Sequence, residues 1–145
     1  NVKKTSFIGL CGNRHSERKQ YIDRLSHEVN MTQDIFVIGD DMVNAINSYE
    51  ISFNKNLGYP HGFSYRVPET LACGTLLLTN ESYMYEFVGL EDTKNCLVYE
   101  TFDDIIDKLR WVKQENRIQK IAEAGHKLRH QFSLENAAET LKELL

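Results

Sequence analysis

Arg66 and Glu69 stand three residues apart, behind a stretch that runs Leu57-Gly58-Tyr59-Pro60-His61-Gly62-Phe63-Ser64-Tyr65. A guanidinium offers phosphate a planar fork of donors, and a carboxylate can accept hydrogen bonds from both hydroxyls of a ribose. The same two residues also fit a bland arrangement, with Glu69 complementing a helix dipole and Arg66 in solvent. Their types alone leave both open. A second cationic group, Arg14, Arg18 and Lys19, follows Gly12-Asn13 where an apolar run gives way to a helical pattern. Backbone N–H groups at such a helix start, with cations nearby, can bind a diphosphate. A solvated basic first turn is the alternative there. The segment has neither the three glycines of a dinucleotide fingerprint nor the Gly-Lys-Ser/Thr of a P-loop.

Other candidate groups fall away on their chemistry. Asp40-Asp41 suggests the acidic cluster of a receiver domain, which also needs acids after the first and third strands and a lysine after the fifth. Those positions hold Gly12-Asn13, Asn54-Lys55 and Tyr99-Glu100. No Asp-x-Asp pair occurs in the sequence to clamp a metal on a sugar nucleotide. His126 and His130 are four apart on one helical face, without the further ligands zinc requires. Metal ligands are therefore expected to be none. Cys11, Cys73 and Cys96 are odd in number and scattered, which fits small buried residues in a reducing, cytoplasmic setting better than a disulfide framework.

The elements that must position these groups follow from periodicity. Residues 5–11, 34–39, 51–53, 75–79 and 96–99 read as short strands, with helical patterns between them. Tyr21, Ile22, Leu25 and Val29 mark the first helix, Met42, Val43, Ile46 and Tyr49 the second, and Leu71, Ala72 and Cys73 a third that Gly74 ends. A short helix is expected over residues 83–88. Thr101 and Asp104 have capping-box spacing before Ile105, Ile106, Leu109 and Val112, and two further helices close the chain. Such alternation implies an α/β, Rossmann-like parallel sheet of about five strands, in the order 3-2-1-4-5, with helices on both faces. The last helix is expected at an edge, partly exposing Leu141, Leu144 or Leu145. Ligands in such sheets bind beyond the carboxyl ends of the strands. That singles out residues 12–19, 39–41, 54–69 and 79–81.

With 145 residues, 41% of them hydrophobic, and a net charge of −4, the chain reads as one soluble domain. The charge supplies no basic footprint for nucleic acid, no apolar run is long enough for a transmembrane segment, and the amino terminus lacks a signal-peptide core. The first residue is not Met, so a longer natural protein is expected.

Gly62-Phe63-Ser64-Tyr65-Arg66-Val67-Pro68-Glu69-Thr70-Leu71-Ala72-Cys73-Gly74-Thr75, followed by Leu-Leu-Leu-Thr-Asn, resembles the nucleotide-sugar signature of group 1 glycosyltransferases of the GT-B fold. The nearest likeness is to the spore-maturation-protein-B-like branch. It extends to Gly9 and Arg18, to Tyr99, and to Ile121, Gly125 and Phe132. The resemblance implies the carboxy-terminal, donor-binding half of a two-domain enzyme that uses a UDP-sugar or GDP-sugar without a bound metal. An absent amino-terminal domain would hold the acceptor. It implies that Glu69 holds the donor ribose, that Ser64, Tyr65 and Arg66 approach the diphosphate, that Gly12, Asn13, Arg14 and Arg18 assist, and that the base packs beside residues 39–42, including Asp40. No catalytic residue is assigned; Arg66 and Arg18, with Arg14, would stabilise the leaving group. A sugar-nucleotide epimerase of the same architecture and a non-catalytic Rossmann-like module are the alternatives. Two positions depart from the pattern. Relatives often carry another acid where this chain has His61, and Pro68 should start the helix two or three residues later than Ser64 implies.

Overall fold

Leu76, Leu77 and Leu78 are all fully buried, so both faces of their strand must be covered. In the computed structural model, which describes residues 2–14, 16–57, 64–114 and 116–144, that strand is the fourth of a five-stranded, wholly parallel sheet. The strands are β1 (Ser6–Cys11), β2 (Met31–Asp34), β3 (Tyr49–Phe53), β4 (Leu76–Asn80) and β5 (Leu97–Tyr99). Helices α1 (Ser16–Glu28) and α5 (Phe102–Val112) cover one face, where Ile22, Leu25, Ile105 and Leu109 meet Ile8, Leu10, Ile51, Phe53 and Leu78. On the other face, α3 (Arg66–Cys73) lays Val67 and Leu71 near Leu77, and α2 (Gly39–Ser48) lays Ile46 beside Cys11 and Tyr49. Helix α4 (Met84–Phe87) follows β4, and α6 (Arg117–Lys127), a 3-10 turn (Leu128–Phe132) and α7 (Leu134–Leu144) follow α5.

The local signals act as expected at several ends. Thr101 caps α5, its Oγ1 accepting from the Asp104 N–H at 3.2 Å, and Gly74 ends α3 in the left-handed region at φ 67°. Pro68 sits third in α3, where its missing N–H has no intrahelical partner to lose. The helix therefore does not start at Pro68, as its preference for the first helical position suggests, but two residues before it at Arg66, because the third position tolerates proline as well. Gly125 lets α6 approach the sheet edge, since a Cβ there would lie 2.4 Å from the Asn95 carbonyl oxygen.

The strand order is β2-β1-β3-β4-β5, not 3-2-1-4-5. The third strand lies between β1 and β4, with Ile8 opposite Ile51 and Ile51 opposite Leu76. Burial explains the difference. In β3 every residue but Glu50 is buried, which suits an inner position, whereas β2 (Met-Thr-Gln-Asp) has no fully buried residue and suits an edge. Gly9 makes the inner pairing possible, because a Cβ there would lie 2.3 Å from the Tyr49 ring. The second strand also starts and ends earlier than residues 34–39. Its pairing stops at Cys11 opposite Asp34, where β1 ends, so residues 35–38 have no partner strand and turn outward. Phe36 sits there at φ 60° and 85% exposed. In α7, Leu141 is exposed, as expected of the tail, and Leu134 is exposed as well. Leu145 and the side chain of Leu144 lie outside the described residues.

Candidate functional site

The order 2-1-3-4-5 places the switch in winding direction between β1 and β3, so a crevice opens beyond their carboxyl ends. Gly12 and Asn13 follow β1 there, and Asn54 and Lys55 follow β3. Gly12 has φ +143°, and its N–H donates to the Asp34 carbonyl at 2.9 Å. A Cβ on Gly12 would lie 3.7 Å from Arg18 Nη1 and 4.0 Å from Arg66 Nη2. Two guanidinium groups, from the first turn of α1 and the first residue of α3, therefore converge over one bare stretch of backbone.

Each arginine is held, and each has a donor to spare. Arg18 donates from Nη1 to the Asn13 carbonyl at 3.1 Å and from Nη2 to the Lys55 carbonyl at 2.8 Å, tying the two loops together. Its Nε is buried without a hydrogen-bond partner among the described residues. Burial lowers the Arg18 pKa, with Tyr99 opposing the shift and the Arg66 charge adding to it. Arg66 Nη1 lies 2.7 Å from Glu69 Oε2. The N–H is not aimed at that oxygen, so this is a charge contact and both buried atoms remain without a hydrogen bond. Unpaired buried donors of this kind suit an anion with several acceptor oxygens.

The start of α3 is fixed from behind. Asn56, 3% exposed, accepts the Ser64 N–H on Oδ1 at 2.9 Å and donates from Nδ2 to Tyr85 OH at 2.7 Å, while its own N–H reaches Asn80 Oδ1 at 2.6 Å. Asn54 joins the same network by donating to Asn56 Oδ1 and Thr79 Oγ1, both at 2.9 Å. Burial pushes the Tyr85 phenol up to about 12. Ser64 in turn takes up the first helical amides, with the Arg66 N–H on its Oγ at 3.1 Å and the Val67 N–H on its carbonyl at 2.9 Å. Those amides are already bonded, so the side chains of Arg18 and Arg66 carry the site's donor capacity.

The resulting cavity is about 340 Å³, in the size range of small-molecule sites. Of the residues singled out from sequence, Gly12, Asn13, Arg18, Ser64 and Arg66 line it. Glu69 reaches it through Arg66. Arg14 instead pairs with Asp23 on α1. Asp40 is exposed in the first turn of α2 and Tyr65 is 88% exposed, and neither is among the lining residues. His61 and the rest of residues 58–63 lie outside the described residues. Asn54, from the stretch 54–69, lines it too, and Cys11, Phe36, Val37 and Ile38 line it without having been singled out. The apolar run 35–38 has the composition of a strand, and only the early end of β2 turns it toward the site. Burial pushes the Cys11 thiol up, with Arg66 opposing the shift. A larger cavity of about 790 Å³ opens at the other end of the sheet, beside Lys4, Phe7, Glu50 and Gly74 at the strand starts. Neither Arg18 nor Arg66 lines it.

Among the described residues, no group of three or more His, Cys, Asp or Glu side chains is placed to hold a metal, and no helix is long and apolar enough to cross a membrane. No curated protein sequence matches the chain. Solved structures share its fold. The carboxy-terminal domain of the group 1 glycosyl transferase LpcC from Francisella tularensis superimposes with a TM-score of 0.66 at 14% identity, covering 92% of this chain and 89% of that one. A glycosyltransferase from Rickettsia africae gives 0.72 at 16%, covering 99% of this chain and 48% of that one. Anabaena HepE in complex with UDP-glucose gives 0.65 at 13%, covering 94% and 41%. The chain thus spans less than half the length of the last two. At the level of sequence, a family profile described as glycosyl transferase-like matches residues 8–143, and by that match, nearly end to end, this chain belongs to the glycosyl transferase-like family.

Proposed function

We propose that this chain is the donor-binding domain of a metal-independent GT-B glycosyltransferase, of the spore-maturation-protein-B-like branch, that takes a UDP-sugar or GDP-sugar in the cytoplasm. The observation that carries the reading is the convergence of Arg18 and Arg66 over Gly12, with Arg18 Nε and Arg66 Nη1 buried and unbonded. When a glycosidic bond to a diphosphate breaks, negative charge develops on the departing phosphate. Cationic donors preorganised in a partly buried cleft stabilise that charge more than they would in water. Gly12 keeps the backbone low enough for phosphate to reach both guanidinium groups. Phe36, Val37 and Ile38 offer an apolar wall beside them, and Glu69 supplies a carboxylate for ribose hydroxyls. A metal-independent donor site fits the absence of an Asp-x-Asp pair from the sequence. The chain's coverage of under half of the Rickettsia and Anabaena proteins supports an acceptor-binding partner domain, with the reacting centre between the two.

Calorimetric titration with UDP, GDP, ADP and CMP, with and without chelator, tests the reading. One nucleoside diphosphate should bind, equally in chelator, and at ~100 times its Kd should stabilise the fold by ~2.7 kcal/mol. Failure of all four to bind refutes the donor role; affinity lost in chelator and restored by Mg²⁺ or Mn²⁺ refutes the metal-independent assignment.

A further inference from the structure

The cavity at the strand starts has more than twice the volume of the one between the arginines, about 790 Å³ against about 340 Å³. Ligands of a parallel sheet gather at the opposite, carboxyl ends of the strands, so topology alone does not account for an opening here. Its polar groups are set in place by the fold. Lys4 Nζ donates to the Tyr49 carbonyl at 2.6 Å and to Thr75 Oγ1 at 3.2 Å, which leaves one of its three N–H groups to spare. Burial lowers the Lys4 pKa, with the charges of Cys73 and Glu50 opposing the shift. Glu50, the one residue of the inner strand β3 that is not buried, lines this cavity. Among the described residues its carboxylate has neither a hydrogen bond nor an ion pair, so it does not neutralise Lys4. On α6, Gln119 Nε2 donates to Glu123 Oε1 at 2.8 Å, which orients both side chains. Lys113 holds its ammonium 4.1 Å from the centre of the Phe7 ring. Buried Val112 and Ala122, with the partly buried Ile118, supply the apolar part of the lining.

We infer that this cavity is a saccharide-binding site, separate from the crevice over Gly12. Its two lysines and two glutamates cancel in charge, so a bare anion meets Glu50 and Glu123 and a bare cation meets Lys4 and Lys113. A hydroxyl both donates and accepts. Neighbouring hydroxyls of one sugar ring therefore satisfy the spare Lys4 N–H and the Glu50 carboxylate together, without bringing a charge of their own. Further hydroxyls meet the Gln119 amide, and the C–H groups of the ring cover Val112, Ile118 and Ala122. A small zwitterion would answer Lys4 and Glu50 but leave the amide and the apolar lining bare. Neither Arg18 nor Arg66 lines the cavity, so this site and the donor-binding reading stand or fall separately.

The test is calorimetric titration of the chain with glucose, galactose, mannose and N-acetylglucosamine, and with maltotetraose, cellotetraose and chitotetraose. At least one of these should bind. Glu50→Leu, which removes both acceptor oxygens, should weaken that saccharide roughly tenfold or more, as expected for a lost hydrogen bond to a charged group. Glu50→Gln keeps one acceptor oxygen and should recover part of the loss. Gln119→Leu, at an exposed position on α6, should also weaken the saccharide and keeps the test open if Glu50→Leu fails to fold. Thermal unfolding of each variant checks the fold, and titration with UDP and GDP should be unchanged by all three. If no saccharide binds, or if its affinity survives both Glu50→Leu and Gln119→Leu, the inference is overturned while nucleotide titration still decides the donor reading. Tighter binding of glycine or glutamate than of any saccharide overturns it in favour of a zwitterion.

Discussion

Replacing Arg66 by alanine removes one of the two guanidinium groups that face Gly12. The side chain is 18% exposed and its Nη1 is buried without a hydrogen bond, so little solvent screens what it offers a ligand. A charge-assisted hydrogen bond to phosphate is worth ~1.5–3 kcal/mol, which at 1.4 kcal/mol per decade is roughly a 10- to 150-fold loss of affinity for the nucleoside diphosphate. Two further effects bear on the result. The substitution leaves Glu69 without its cation, adding repulsion to the same ligand and favouring the upper part of that range. Against this, Arg66 is the first residue of α3, where a cation opposes the helix dipole, so its removal returns a few tenths of a kcal/mol of stability and offsets the lost ion pair. Net stability should stay within about 1 kcal/mol, or about 2–4 °C in Tm. The assay is calorimetric titration of wild type and Arg66→Ala with nucleoside and nucleoside diphosphate, with thermal unfolding alongside. The free nucleoside should be little affected, because it has no phosphate for Arg66 to hold. An unchanged affinity for the diphosphate, in a wild-type protein that binds it, would refute the reasoning and move the site elsewhere.

Gly9→Ala drives a methyl into the Tyr49 ring, whose hydroxyl is tied to Asp34, and should cost about 1–3 kcal/mol or more in chemical denaturation; combining it with Tyr49→Ala should give far less than the sum of the two losses. Asn56→Ala strips partners from the Ser64 N–H and Tyr85 OH, so it should lower stability by about 1–3 kcal/mol and weaken nucleoside diphosphate binding, both read on the same preparation. Burial, then the charges of Asp92 and Glu91, push the Cys96 thiol from 9.0 up to about 12, with Lys108 opposing, and burial pushes Tyr85 from 10.0 to about 12. Both groups are held neutral in the fold, so their contribution is intact below about pH 9 and is lost as pH rises toward 12. In denaturation followed against pH, Cys96→Ala should make that alkaline loss smaller without abolishing it, because burial also raises the Cys11 and Cys73 thiols and Tyr85 follows at higher pH.

The elements themselves were legible because each rests on a local rule. The apolar runs of β1, β3, β4 and β5 permit burial on two faces, Thr101 and Asp104 announce a helix start, and Gly74 announces an end. The arginines were legible as types: Arg18 and Arg66 follow strand ends, and strand ends in a parallel sheet are where ligands gather. Arg14 met the same rule and yet pairs with Asp23, because adjacency in sequence to a site does not set the rotamer that reaches it. The run 35–38 shows the limit most plainly. Its composition is that of a buried strand, but a strand needs a partner, and β1 has ended before it.

By itself, then, the sequence determined an alternating α/β chain with a cationic, glycine-bearing strand end and an Arg-x-x-Glu helix start, since these depend on residues close in the chain. Only the tertiary structure decided that β3 packs beside β1, that Arg18 and Arg66 consequently meet over Gly12, that Glu69 turns toward Arg66, and that Asn56 fixes Ser64 from behind. Strand order is set by which strand has two apolar flanks and which neighbour leaves room for a tyrosine ring. Those are properties of pairs far apart in sequence, and they exist only once the chain has folded.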